Sequence, residues 1–410
     1  MVLPAVLDPE RLIFCAYLCV GPLAWVLMFI GLFMGRARMG GLLRTRATLP
    51  PNPPKVTILV PAKDEGAEIR RCIEGILQQD YPDFEVIAID DRSADETGQI
   101  FDEIAHANAK VRVVHIAPGA LPEGWLGKCN ALWTASRDAT GEWLFFVDSD
   151  VTIEPDALAR TLALAIQRRY DAVSILTRLE CRTFWERLIL PLAAASWSVM
   201  FTISQTNEDN RTHIAAANGQ FFLIRRGAYE AVGGHEAVRD QITEDVELMR
   251  LLKGRGFRTR LFMGAPLAST RMHSTLPQMF HGWARIYAGT SRRSPWRIVG
   301  AIIFYLLCGL SVYPALAWGI AQLLSGFGFA RLIASLAHFT LVTAYLAIVY
   351  RMSGTRARGA LLFPLGGAVM LSIFAFAIRT CYTGRVKWRG THFSASNAVR
   401  VSSTSVSERR

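Results

Sequence analysis

Charge is scarce in this chain. Only 19% of its 410 residues are Asp, Glu, Lys or Arg, while 51% are hydrophobic; ordinary globular domains carry about 25% charge. The apolar residues are bunched. No charge occurs from Ile13 to Met34, a run longer than the ~18 residues that suggest a bilayer-spanning helix. Ile298–Leu324, Leu332–Tyr350 and Ala360–Ile378 are uncharged in the same way. Paired cysteine motifs are missing too: the seven cysteines, at 15, 19, 72, 129, 181, 308 and 381, form no C-x-x-C, which excludes a zinc ribbon or a dithiol redox motif. No two of the eight histidines have metal-ligand spacing. No G-x-G-x-x-G follows the first strand-like run, Val56–Val60, so a dinucleotide fold lacks its phosphate loop. Gly127-Lys128 is followed by Cys129 and has no glycine five positions earlier, so it is not a Walker loop.

What is present divides the chain into four parts: an N-terminal anchor and linker over 1–54, a globular domain over 55–290, a membrane region of about three spans over 291–380, and a basic polar tail over 381–410. The first apolar run is long for a signal peptide, and Gly35-Arg36-Ala37-Arg38 stands where a small-residue cleavage site would be needed. It reads as an uncleaved anchor. Arg36, Arg38, Arg44 and Arg46 follow it, against a lone Arg11 before it. Basic residues stay on the cytoplasmic side, so the globular domain is expected in the cytoplasm, at a plasma (inner) membrane.

The net charge of +11 invites a nucleic-acid reading. The basic residues, however, concentrate beside apolar runs: Arg292, Arg293, Arg297, Arg351, Arg356, Arg358, Arg379, Arg385, Lys387 and Arg389. Attraction to anionic headgroups accounts for that placement, and no nucleic-acid partner is expected. One conflict stands. A single span between the basic loop 351–358 and the basic tail would put them on opposite sides, so either the last run is re-entrant or one span is misassigned.

Within the globular part, Pro50-Pro51-Asn52-Pro53-Pro54 makes a stiff linker. Short β-branched runs follow at Val56–Val60, Phe84–Ile89, Val111–Ile116 and Trp143–Val147. Helical stretches separate them at Ile69–Gln79, Asp95–Ala107, Asn130–Arg137 and Pro155–Arg168. That alternation predicts an α/β fold with a parallel sheet covered on both faces, with ligands beyond the carboxyl ends of the strands. Three of those ends are acidic: Lys63-Asp64-Glu65, Asp90-Asp91-Arg92-Ser93 and Asp148-Ser149-Asp150. Crowded carboxylates repel unless a cation sits among them. A D-x-D at a strand end offers two oxygens to a hard divalent ion that also holds phosphate oxygens, which fits Mg²⁺ or Mn²⁺ on a diphosphate.

These segments resemble the family-2 glycosyltransferases with a GT-A (Rossmann-like) fold, over about Lys55 to Gly289. The likeness rests on five motifs in order: Val60-Pro61-Ala62-Lys63-Asp64-Glu65, Asp90-Asp91-Arg92-Ser93-Ala94-Asp95, Gly124-Trp125-Leu126-Gly127-Lys128-Cys129-Asn130, Asp148-Ser149-Asp150 and Thr243-Glu244-Asp245. The Gly-Trp-Leu-Gly-Lys segment and flanking spans resemble the membrane branch that glycosylates ceramide, carotenoid or hopanoid-type lipids. The resemblance implies a hexosyltransferase using a nucleotide sugar, UDP-linked by preference, and a lipid acceptor. It implies Pro61, Ala62, Glu65, Asp90, Asp91, Lys128 and Asp148 on the donor, and Asp148 and Asp150 on the metal. Asp245, with Glu244 beside it, is then the base of an inverting transfer. Chemistry supports a base there independently, since the acceptor hydroxyl must lose its proton and a carboxylate at a helix N-terminus is well placed to take it.

The chain departs from the pattern after the acidic motif. In place of Gln-x-x-Arg-Trp it has His281-Gly282-Trp283-Ala284-Arg285, which favours a single transfer over polymerisation. Trp283 and Arg285 are candidates for acceptor and diphosphate contacts, as are Gly219 and Gln220. The apolar segment near 184–203, interrupted by Pro191 and flanked by Trp185 and Trp197, reads as interfacial. A polyisoprenyl-phosphate glycosyltransferase, a catalytically inactive membrane scaffold of the same fold, and a nucleotidyltransferase are the alternatives.

Overall fold

A computed structural model describes residues 9–39, 41–44, 47–292, 294–326, 329–383, 385–388 and 391–394. Arg46, Arg293, Arg389 and the tail from 395 onward lie outside the described residues. The chain opens with α1 (Pro9–Met39), a single long helix with a π turn at Cys19–Leu23 that contains Pro22. Four alternating pairs follow: β1 (Val56–Ala62) and α2 (Gly66–Leu77), β2 (Phe84–Asp91) and α3 (Thr97–Ala107), β3 (Val111–Ile116) and α4 (Gly127–Ser136), then β4 (Trp143–Phe146) and β5 (Val151–Ile153) before α5 (Ala157–Arg168). After these come β6 (Ala172–Leu176), β7 (Arg178–Leu179), α6 (Phe184–Met200), β8 (Phe222–Arg225), α7 (Glu244–Gly254), β9 (Thr259–Met263) and β10 (Ala268–Thr270). The chain continues through α8 (Leu276–Thr290), α9 (Trp296–Leu324), α10 (Ala330–Met352) and α11 (Ala357–Thr383).

The main sheet has the order β3-β2-β1-β4-β8-β6-β9. Every residue of β1 is buried, as expected for a central strand covered on both faces. The expectation of a purely parallel sheet is corrected in one place. β8 runs antiparallel to β4 and to β6, pairing Phe222 with Phe146 and with Ser174. This reversal matters for the site, because it brings the amino end of β8, preceded by Asn218-Gly219-Gln220, to the edge where β1, β2 and β4 end. A second, three-stranded sheet, β5-β10-β7, covers the segment after the D-x-D.

The 184–203 segment is a helix rather than a strip lying free along headgroups. A capping box of Thr183 and Glu186 starts α6, and its middle, Leu188–Ala193, is buried among residues of α8, α10 and α11. α8 also has a capping box, Thr275 with Gln278. Both helices are tied to the catalytic domain at each end. Glu186 accepts from Arg271 at 2.9 Å, Trp197 Nε1 donates to Thr290 at 3.2 Å, and Arg292 just beyond α8 pairs with Glu247 of α7 at 2.6 Å.

Among the described residues four helices are long and apolar enough to cross a membrane: α1, α9, α10 and α11. Three extend away together. Trp25 donates to the Cys308 carbonyl at 2.5 Å, Tyr17 contacts His338 at 3.0 Å, and Glu10 pairs with Arg331 at 2.6 Å. At the other end of α1, Arg38 pairs with Glu208 of the catalytic domain at 2.9 Å. α11 is packed differently: Gly366 meets Leu188 and Leu192 of α6, while Phe374 packs on Tyr287 and Phe376 on Phe280 of α8.

Candidate active site

The carboxyl edge of the sheet is knitted before it reaches the reacting centre. Asp64 accepts from the Ala94 amide at 2.7 Å, Glu65 N donates to Thr97 at 2.8 Å, and Gly66 N donates to Asp95 at 3.0 Å. These bonds join the β1–α2 and β2–α3 turns into one wall. Asp64 and Arg92 stand in the left-handed region at φ 53° and 61°, conformations that a side chain other than glycine adopts at a cost. Thr97 and Asp95 are central to this wall, yet the sequence marked Asp95 only as part of a motif and Thr97 not at all as a site residue. A carboxylate two residues before a helix start is the signal that reveals them.

Pro61 and Ala62 end β1 and are buried, in register with Ile89 and Asp90. Asp91 is 5% exposed and accepts two bonds from Arg92, at 2.8 and 3.1 Å. Asp90 is held by the Ser93 amide at 3.1 Å and by His115 at 3.0 Å, and His115 reaches on to Asp102. The hydrogen bond that His115 donates to Asp90 is the main reason its pKa lies above the usual histidine value. Gly127 stands against the Asp91–Arg92 pair; a Cβ there would lie 2.5 Å from Arg92 Nη2 and 2.5 Å from Asp91 Oδ2.

The strongest charge cluster lies one turn further on. Lys128 Nζ sits 2.7 Å from Asp148 Oδ1 and 2.7 Å from Glu244 Oε1. Burial works against its charge, but the fields of Asp148, Glu244 and Asp245 outweigh it and hold its pKa well above that of a free lysine. Asp245 is fixed by two backbone donors, Gly219 N at 2.6 Å and Val246 N at 2.8 Å. Its pKa is nevertheless raised to about 7, first by burial and then by the charge of Glu244, against the pull of Lys128 and the two amides. A side chain at Gly219 would press on this cluster: a Cβ would come 3.2 Å from Lys128 Nζ and 3.4 Å from Asp245 Oδ2. Gln220 is held beside this cluster by a network with Thr177 at 2.5 Å and Asn218 at 3.2 Å.

A cavity of about 610 Å³ opens from this cluster. Lys128, Asp148, Gly219, Gln220, Glu244 and Asp245 line one end, and Trp283 and Arg285 of α8 line its side. The remaining lining is mostly apolar and includes residues of α1, α6 and α10 as well as of the sheet-edge loops. Pro61, Ala62, Glu65, Asp90, Asp91 and Asp150 stand outside that lining. The sequence-chosen residues therefore separate into a sheet-edge group and a cavity group, meeting at Lys128 and Asp148. The indole Nε1 of Trp283 is buried without a hydrogen-bond partner. Among the described residues no three His, Cys, Asp or Glu side chains converge on one point for a metal.

Residues 57–233 match the profile of the family described as Glycosyl transferase family 2. The chain carries a family-2 glycosyltransferase domain. Its mixed sheet, with acidic ends on β1, β2 and β4, is the GT-A catalytic fold, and the chain is a glycosyltransferase. Among curated proteins, this chain is 27% identical over 267 residues to the 4,4'-diaponeurosporenoate glycosyltransferase of Staphylococcus aureus strain MRSA252, covering 63% of this chain and 68% of the relative. Among solved structures, a mannosyltransferase from Pyrobaculum calidifontis in complex with GDP-Man and Mn²⁺ is 19% identical, with a TM-score of 0.49 over 89% of this chain and 99% of that one. Residues 1–349 of S. aureus TarS with UDP-GlcNAc give 14% identity and a TM-score of 0.39 over 84% and 97%.

Proposed function

We propose that this glycosyltransferase moves a sugar from a nucleotide-sugar donor, UDP-linked by preference, to the hydroxyl of a lipid acceptor, with inversion at the anomeric carbon. The observation that carries the reading is the position of Asp245, a carboxylate held by two amides at the junction of the acidic sheet edge and a cavity lined by membrane helices. The S. aureus relative is by its name a glycosyltransferase of a carotenoid acid, which favours an apolar acceptor. The basic residues Arg36 and Arg38 at the domain end of α1 favour a cytoplasmic catalytic domain at the plasma membrane.

In this reading the nucleoside lies along the wall made by Pro61, Ala62, Glu65 and the Asp90–Asp91 turn. Lys128 offsets diphosphate charge while orienting Asp148. Asp245 accepts the proton of the attacking hydroxyl, and its pKa near neutrality suits a base that must take and release a proton. Glu244 serves through Lys128 and through its charge on Asp245. Asp148 and Asp150 are the residues that would hold a divalent ion, Mg²⁺ or Mn²⁺; two carboxylates suit an ion shared with a diphosphate better than a resident one. When bound, the ion would offset the charge that develops on the departing nucleoside diphosphate. Trp283 and Arg285 stand on the acceptor side of the same cavity.

The test is transfer of label from a panel of UDP- and GDP-sugars into organic-extractable lipid, with and without Mn²⁺, comparing wild type with Asp245→Asn. Labelling that requires the metal and vanishes in the variant supports the reading. No labelling from any donor, with lipids of the source supplied, refutes it.

A further inference from the structure

We propose that the acceptor lipid reaches Asp245 sideways from the bilayer, through an opening between α1 and α6, and that Gly31 sets the width of that opening. This rests on the transfer reading above and adds the route and the residue that gates it. The cavity has two unlike ends. Lys128, Asp148, Glu244 and Asp245 form the polar one, while Leu27, Met28 and Gly31 of α1 and Ala195 and Val199 of α6 lie toward the other. Its volume of about 610 Å³ is in the range that holds a compact ligand or one end of a longer one.

The apolar end reaches a surface that only lipid would cover. Leu27 is 60% exposed and Val199 45%, and Ile30 and Phe33 on the next turn of α1 are exposed as well. Leu27 precedes Arg36 by nine positions, or about 14 Å along a helix at 1.5 Å per residue. The headgroup-seeking Arg36 thus places Leu27 well inside one leaflet of a hydrocarbon core ~30 Å thick. A polar acceptor arriving there would shed its water without replacement partners. A hydroxyl carried on an apolar chain would leave the chain in a matching medium and deliver only its head to Asp245.

Gly31 lines this cavity, and a Cβ added to it would meet nothing within 4 Å. Its neighbour one turn on behaves otherwise: a Cβ at Gly35 would come 3.1 Å from the Ser204 Cβ, so close helix packing accounts for Gly35. No packing contact accounts for Gly31. What its missing side chain leaves is open space at the threshold between the bilayer-facing surface and the site. Gly300 of α9 supplies a control, since a Cβ there also meets nothing and it does not line the cavity.

The experiment uses the full chain in phosphatidylcholine nanodiscs with a long-chain alcohol that carries a diazirine beside its hydroxyl. After photolysis, cross-links are mapped by mass spectrometry. The expected result is labelling of the Gln241–Val246 segment, which lines the inner end. That labelling should fall about tenfold or more in Gly31→Phe, the equivalent of a barrier of ~1.4 kcal/mol or above, fall less in Gly31→Ala, and persist in Gly300→Phe. Absence of inner labelling in the wild type, or undiminished labelling in Gly31→Phe, overturns the route. Lipid glycosylation by the same variants separates the two ideas. Transfer at the wild-type rate in Gly31→Phe sinks the route and leaves the transfer reading standing. Inner cross-links with no transfer from any donor sink the transfer reading and leave a lipid site.

Discussion

Asp245 is poised by opposing forces, of which those that favour its proton win. Burial and Glu244 push its proton affinity up, while Lys128 and two amides pull it down, and the result lies at about 7. Two outcomes follow from the sign. Transfer by the wild type should fall as pH drops below about 7, because the carboxyl takes its proton and ceases to be a base; a pH profile of kcat/KM measures this. Glu244→Gln should move that acid limb to lower pH, since it removes a charge that raises the pKa, whereas a purely structural role for Glu244 would leave the limb in place. Asp245→Asn should cost about 10²–10⁴-fold in transfer, the usual worth of a positioned base, with nucleotide binding retained. The same variant should melt at a higher temperature at pH 8. A carboxyl whose folded pKa exceeds its unfolded one loses stability as pH rises from the unfolded value to the folded one, and the amide escapes that loss. Lys128→Met should do the opposite and destabilise the fold by about 3 kcal/mol, because removing one partner of a buried ion cluster strands the others; a denaturant titration reads it.

At the level of elements, what was legible followed from local pattern. The strand runs at Val56, Phe84, Val111 and Trp143 stood out because each is apolar, β-branched or aromatic, and closed by polar residues, and each forms a strand beginning at that residue. The acidic ends were visible for the same reason. Strand direction was not, because a strand as short as Phe222–Arg225 reads alike in either sense, and only its partners Phe146 and Ser174 reveal the reversal. The Gly219 amide that holds Asp245 depends on that reversal, so the contact lay beyond any spacing rule. α6 was misleading because Pro191 and two tryptophans lower its likeness to a buried helix, while the burial itself comes from elements distant in sequence. α11 is a fourth case. Its start follows a loop in which a Cβ at Gly354 would lie 3.9 Å from Arg178 of the catalytic domain, and near its end Cys381 lies 3.8 Å from Ser291. These contacts favour the re-entrant alternative for the last apolar run over a single span. Single cysteines placed at Ser353 and Thr383 in a cysteine-free background should react with an impermeant thiol reagent from the same side of sealed vesicles. Labelling from opposite sides would make α11 a true span.

The molecule as a whole is an enzyme whose site is completed by its membrane helices. The sheet supplies the acidic edge, but α1 and α10 contribute to the cavity wall, and the buried faces of α6 and α8 depend on α10 and α11 for cover. A fragment limited to residues 55–290 should therefore expose Leu188, Leu190, Trp283 and Tyr287 and elute as aggregate in size-exclusion chromatography without detergent, an exposed apolar patch of that kind being an association surface. The full chain in nanodiscs should be monodisperse under the same assay. The mouth beside Leu27 and Val199 also changes what substrate concentration means. A reactant drawn from a two-dimensional solvent is counted per surrounding lipid, not per litre. Diluting the acceptor with inert lipid at constant bulk amount should slow the reaction, and enlarging the volume of water around the same membranes should leave it unchanged.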